Sequence, residues 1–186
     1  SKDRRLLSHT GPAVVFENSA DLAKRIDDPN LEVTPDSVLV LKGIGPRGNP
    51  GMPEAGLIPI PRKLGSAGVK DMLRLSDGRM SGTAGGTIVL HISPESALRE
   101  SPFGVVQTGD SITCDITTRK LQLEISDEEL NRRIAVRKQT FEASGAEASH
   151  VQERKRGYRA LYERSVNQAQ DGADFDFLSA NGPIIK

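Results

Sequence analysis

Residues 43–51, Gly-Ile-Gly-Pro-Arg-Gly-Asn-Pro-Gly, cannot join a regular element. Four glycines and two prolines within this stretch raise the entropy cost of ordering it and remove N–H donors from any helix or ladder. The stretch follows Ser37-Val38-Leu39-Val40-Leu41, whose β-branched and aliphatic residues predict a strand. It ends in Gly51-Met52-Pro53-Glu54. A second polar, glycine-bounded turn, Asp77-Gly78-Arg79-Met80-Ser81-Gly82-Thr83, begins 23 residues after Glu54. Such segments bury little apolar surface, so they are kept for geometry or for chemistry. Together they suggest a carboxylate and a hydroxyl brought to one site, without supplying a whole site.

The rest of the chain reads as a β-rich body with a few helices. Asn18 and Asp21 form a capping pair ahead of Leu22 and Ile26, and that helix should stop before Pro29. Pro59 and Pro61 lead into a brief helix near Leu64. Lys70–Leu75 and Thr87–Ile92 are expected strands, with a turn or short helix at Pro94-Glu95. Phe103–Val106, Ser111–Ile116 and Leu121–Ile125 are expected to form a meander, turning at Thr108-Gly109-Asp110 and near Thr118-Arg119. Ser126 with Glu129 is a capping box opening a helix that places Leu130 and Ile134 on one face. Ala143–Ser149 reads as a mobile connection. A last helix is expected from about Glu153 to Gln168, with Tyr158, Leu161 and Tyr162 as packing surface. Asp174–Leu178 is an alternating segment suited to pinning this tail onto the body or onto a partner. Residues 1–140 are therefore expected as the body, and 141–186 as connection, helix and tail.

Composition narrows the function classes. The 25 basic and 25 acidic side chains cancel, leaving no global field to attract nucleic acid or an anionic membrane. No apolar run approaches the ~20 residues that span a bilayer. The first residues, Ser1-Lys2-Asp3-Arg4-Arg5, lack the apolar stretch of a secretory signal. An intracellular setting, cytoplasmic or mitochondrial, is expected. Cys114 is the only cysteine, which excludes an intrachain disulfide and any zinc or iron–sulfur site built wholly from this chain's thiolates. Its setting, Ile112-Thr113-Cys114-Asp115-Ile116, reads as a strand in which the thiol packs in the core.

Glu54, held behind Pro53 on a glycine-rich turn, reads either as a surface carboxylate or as one oxygen ligand of a hard cation such as magnesium. Ser81 reads either as a turn serine or as a base whose alkoxide a nearby cation would have to stabilise. Gly78, Gly82, Gly85 and Gly86 permit turns whose N–H groups would cradle an anion. Residues 43–48 lack the Gly-Lys-Ser/Thr end of a nucleotide loop, and Pro46 removes an N–H that phosphate would need. There is no Gly-x-Ser-x-Gly elbow. His9, His91 and His150 show no metal-ligand spacing, and His91 is expected as a structural histidine on its strand. Arg154-Lys155-Arg156 looks like the solvated start of a helix.

A resemblance covers essentially the whole chain. His9–Glu17, Gly45-Pro46-Arg47-Gly48-Asn49-Pro50-Gly51-Met52-Pro53-Glu54 and Ser76–Thr83 are similar to the C-terminal domain of the iron–sulfur dihydroxy-acid and sugar-acid dehydratases. So are His91-Ile92-Ser93-Pro94-Glu95, Gly109-Asp110 and Ser126–Leu130 with Arg133. The resemblance implies a β-barrel-like swivelling domain of the aconitase type, flanked by helices and ending in a helical tail. It implies that Glu54 is a magnesium ligand and that Ser81 is the base removing the C2 proton of a 2,3-dihydroxy acid. The iron–sulfur cluster would be held by a larger N-terminal part that this chain lacks. That cluster domain is the implied partner, along with a small-molecule acid and further copies of the chain in a homo-oligomer. Met80–Thr83, Leu57-Ile58-Pro59-Ile60-Pro61 and the tail from Arg156 to Leu178 look like the sugar-acid (arabinonate or xylonate) branch. Gly78 instead resembles the branched-chain form. A branched-chain dihydroxy-acid substrate and a non-catalytic binding or structural module are the alternatives. Alone, the chain is expected to be inactive.

Overall fold

A computed structural model describes residues 1, 3–143 and 156–178. Its centre is β1 (Ser8–Phe16), which pairs on both sides. Ala13–Phe16 run parallel to β2 (Val38–Leu41), while Ser8–Pro12 run antiparallel to β5 (Ser111–Asp115). β3 (Arg74–Ser76) and β4 (Ile88–Val89) continue the parallel side, and β6 (Lys120–Leu123) closes the antiparallel side. The resulting order, β4-β3-β2-β1-β5-β6, is one curled six-stranded half-barrel flanked by helices.

Alternation along the parallel strands divides the core between the two faces of the sheet. Val15, Val38, Val40 and Leu75 pack with Phe103, Ile112 and Cys114 on one face. Val14, Phe16, Leu39 and Leu41 pack on the other, against Leu22 and Ile26 of the first helix and its C-cap. That helix, α1 (Ser19–Arg25), starts at Asn18, whose side-chain oxygen accepts the Asp21 N–H at 2.8 Å. The brief helix after Pro61 is α2 (Arg62–Ser66). The expected capping box forms in part. Ser126 Oγ accepts the Glu129 N–H at 3.2 Å ahead of α3 (Asp127–Ala143). α3 is fastened to the sheet by Arg133, whose guanidinium donates to both oxygens of Asp110 at 2.6 and 3.0 Å.

Several expectations need correction. Phe103–Val106 is not a strand: Phe103–Val105 form a 3-10 helix, with Gly104 N–H on Ser101 O at 3.1 Å. All four residues are buried, and so short an apolar run carries no period that separates strand from helix. The meander is therefore the β5–β6 hairpin added to β1. Leu121 on β6 is 42% exposed rather than turned inward. The strands at 70–75 and 87–92 shrink to β3 and the two-residue β4. His91 lies beyond β4, exposed and with φ of 56°, so it is not a packed strand histidine.

In the tail, α4 spans Tyr158–Ser165, and its buried positions are Ala160 and Glu163, not Tyr158 or Leu161. The expected start of that helix before 156, with Arg154 and Lys155, lies outside the described residues, as does the connection from 144 onward and His150. The contacts of Phe175 lie within the tail. Phe175 bridges Val166, and its ring meets Tyr162 edge-on at 5.5 Å.

Candidate functional site

Phe16, Leu41 and Ser76 lie in register at the carboxyl ends of β1, β2 and β3. Ligands of sheets with parallel strands commonly lie beyond such ends, because the chain leaves each strand there as a free loop. Here the loop after β2 carries Glu54 and the loop after β3 carries Ser81.

Buried side chains, not regular structure, fix these loops. Asp77 follows β3 directly and has no exposed surface. Its carboxylate accepts Ile44 N–H at 3.1 Å and Ser96 N–H at 2.8 Å, together with the Ser96 hydroxyl. Glu95, 1% exposed, accepts Arg47 N–H at 2.9 Å and Gly48 N–H at 2.9 Å. Burial pushes both carboxyls above their ordinary range, and the converging N–H groups oppose that rise. The fit is close: a Cβ on Gly45 would stand 2.7 Å from Glu95 Oε2.

The base of the Ser81 loop is held by a second buried group. Arg74 donates to Ile58 O at 2.9 Å, Gly85 O at 3.2 Å and Asp71 Oδ1 at 3.1 Å. Asp71 in turn accepts Thr87 N–H at 2.9 Å and the Thr87 hydroxyl at 2.8 Å. Gly86, at φ of 122°, lets the guanidinium pass where a Cβ would overlap it. Desolvation pushes the Arg74 guanidinium below its ordinary value, and Asp71 opposes that shift.

The two loops meet through Arg79. Its carbonyl accepts Gly56 N–H at 2.8 Å, and its guanidinium lies 3.5 Å from Glu54 Oε1. Both of those side chains are about half exposed. Ser81 is half-buried, and its Oγ lies 3.0 Å from Thr83 Oγ1 and 3.4 Å from Thr83 N. The structure thus brings Glu54 to the loop that carries Ser81, with Arg79 as the link. Of the four glycines expected to cradle an anion, Gly78 is already engaged, its N–H donating to Ser76 Oγ at 3.0 Å.

As a donor set, Glu54 fits one oxygen corner of a hard cation, provided that the ion displaces or shares the contact with Arg79. Among the described residues no group of three His, Cys, Asp or Glu side chains could hold a metal ion. Cys114 is buried in β5, and burial raises its thiol pKa, so it does not fit as a cluster ligand. No helix among the described residues is long and apolar enough to cross a membrane.

Sequence reasoning singled out Glu54 and Ser81 but missed the buried residues that hold their loops: Asp77, Glu95 and Arg74. A signal was present. Asp77 and Glu95 are acids inside glycine-, serine- and proline-rich segments, where many backbone N–H groups have no ladder partner.

Residues 1–173 match the family described as dihydroxy-acid/6-phosphogluconate dehydratase C-terminal. The chain is 48% identical to the 6-deoxy-6-sulfo-D-gluconate dehydratase of Pseudomonas putida, over 97% of its own length and 29% of that protein's. It is 44% identical to the L-arabinonate dehydratase of Rhizobium leguminosarum bv. trifolii, over 93% of its length and 28% of the relative's. Identity to the dihydroxy-acid dehydratase of Caldicellulosiruptor saccharolyticus is 36%, over 91% of the chain and 28% of the relative. The chain therefore spans under a third of the length of these relatives.

Proposed function

The chain belongs to the dihydroxy-acid/6-phosphogluconate dehydratase C-terminal family, and we propose that it is the C-terminal part of a hydro-lyase converting a sugar acid into a 2-keto-3-deoxy acid. The observation that carries this reading is the junction at Arg79, whose carbonyl accepts Gly56 N–H and whose guanidinium lies 3.5 Å from Glu54, so that the Glu54 and Ser81 loops meet. The sugar-acid substrate is favoured by the higher identity to the sulfogluconate and arabinonate dehydratases, 48% and 44%, than to the dihydroxy-acid dehydratase, 36%.

In this reading Ser81 Oγ takes the proton from C2 of the acid. The C2–H electron pair forms the C2–C3 double bond as the C3–O bond breaks, and the departing hydroxide leaves as water on taking up a proton equivalent to the one Ser81 removed, which restores the base. The enol then loses its O2 proton and gains one at C3, giving the 2-keto-3-deoxy acid. A serine hydroxyl is a poor base at neutral pH, and among the described residues Ser81 Oγ meets only the hydroxyl and N–H of Thr83. Magnesium held with Glu54 as one ligand would supply the positive charge that favours the alkoxide and the developing enolate. Arg79, with its guanidinium 3.5 Å from Glu54 Oε1, lies on the side of the carboxylate that faces the Ser81 loop.

The group that assists departure of the C3 hydroxyl belongs, on this reading, to the longer polypeptide. That part would carry the iron–sulfur cluster and the remaining metal ligands. The active site would then lie between the two parts of a subunit, within a homo-oligomer.

The test is turnover by the intact protein, prepared without oxygen and with magnesium, on a panel of aldonic acids and 2,3-dihydroxyisovalerate. Keto-acid formation from an aldonic acid is expected. Product from the branched-chain acid alone would reassign the substrate, and no product from any acid would leave a binding or structural module.

A further inference from the structure

We propose that Gln168, on the C-terminal tail, is a positioning residue for the Glu54 loop, acting through the buried carboxylate of Glu95. This inference rests on the dehydratase reading for its catalytic consequence.

Glu95 and Gln168 face each other reciprocally. Gln168 Nε2 donates to Glu95 Oε1 at 2.8 Å, and Gln168 Oε1 accepts the Glu95 N–H at 2.8 Å. An amide is suited to this place because it both donates and accepts; a carboxylate could not donate, and an alkyl chain could do neither. The same Glu95 carboxylate holds Arg47 N–H and Gly48 N–H. Short backbone bonds carry the constraint onward along the loop. Asn49 N–H reaches Gly45 O at 2.9 Å, Met52 N–H reaches Asn49 O at 2.8 Å, and Ala55 N–H reaches Pro53 O at 2.7 Å. Glu54 stands inside the last of these turns.

The tail is built to hold Gln168 in place. Val166 is 3% exposed and bridges Phe175, Asn167 N–H donates to Asp174 O at 2.8 Å, and Ala173 N–H donates to Gln168 O at 3.1 Å. A second contact runs beside the first, from the Ser93 hydroxyl to Gln170 Oε1. Residues 156–178 thus do more than cover apolar surface: they complete the hydrogen bonding of a buried carboxylate on which the loop is seated. Without Gln168, Glu95 keeps its burial and loses one donor, while its own N–H loses its acceptor. Buried groups left in that state drive local rearrangement or water entry.

The experiment compares Gln168→Met and Gln168→Glu with the unsubstituted intact protein by amide hydrogen exchange and by steady-state kinetics. Exchange at Arg47 and Gly48 should rise about tenfold or more in both variants, while Leu39 and Leu41 in β2 keep their protection. On the preferred acid, kcat should fall about tenfold or more with KM changed less than about threefold, as misplacement of a reacting group requires. Unchanged exchange at Arg47 and Gly48 would overturn the clasp. Faster exchange with unaltered kcat would overturn its role in positioning. Absence of turnover in the unsubstituted protein would overturn the dehydratase reading, and the catalytic role of Gln168 with it, whatever the exchange result.

Discussion

Asp77 and Glu95 are almost wholly enclosed carboxylates at the mouth of a site, and their energetics differ from those of surface acids. Each is tolerable only because several N–H donors converge on it. Asp77→Ala would leave Ile44 N–H and Ser96 N–H without their acceptor, at a cost of about 2–4 kcal/mol in denaturant unfolding. Glu95 carries a pH signature of unusual sign. Burial raises its folded-state pKa above the ordinary 4.5. The unfolded chain therefore releases this proton first, and folding loses stability as pH rises from 4.5 until the folded group also ionises. Glu95→Gln lacks that loss. The stability difference between the two proteins should move in favour of the variant as pH rises above about 4.5, then level off. Movement in the opposite direction would show that the converging N–H groups outweigh burial. Glu129 behaves in the opposite way. Arg132 and Arg133 lower its pKa to about 2, so its contribution is present above 4.5 and disappears as pH falls toward about 2.

At the scale of elements, the α3–sheet joint and the Gly86 turn are the places where one side chain governs a whole segment. Arg133 and Asp110 are 12% and 9% exposed and doubly hydrogen-bonded, so Arg133→Ala should cost about 2–4 kcal/mol in thermal or denaturant unfolding. Arg133→Lys should recover only part of that, since an ammonium cannot make the paired contact. Gly86→Ala should destabilise the Ser81 loop, because its Cβ would occupy the place of the Arg74 guanidinium at a φ of 122°. Crystallography of that variant should show Arg74 displaced from Gly85 O.

The elements legible in the sequence were those governed by local rules: β2 by its aliphatic run, the start of α1 by Asn18, the start of α3 by Ser126, and the β5–β6 hairpin by alternation. The central strand was not legible. β1 contains Gly11 and Pro12, which argue against a central strand on local grounds. Pro12 is tolerated because pairing with β2 begins only at Ala13, so the absent N–H removes no bond on that side. The candidate site was legible only at its tips. Glu54 and Ser81 stand in marked turns, whereas the contacts of Glu95 with Gln168 join positions 73 residues apart, and local pattern carries no sign of such pairing.

For the whole molecule, the half-barrel supplies one candidate oxygen ligand and one candidate base, and among the described residues no metal cluster accompanies them. The 186-residue chain alone should therefore form no keto acid from any aldonate, with or without added magnesium. A coupled keto-acid assay would check this, and turnover by the chain alone would contradict the division of labour proposed between it and the longer polypeptide. The most direct test of the central claim is the rate of keto-acid formation by the intact protein carrying Ser81→Ala. Among the described residues Ser81 bonds only within its own turn, so the variant should keep its fold and unfold within about 0.5 kcal/mol of the parent. Its kcat should fall about a thousandfold or more, as expected when the proton-abstracting group is removed. Turnover within a few-fold of the parent, in a protein shown to be folded, would contradict the assignment of Ser81 as the base.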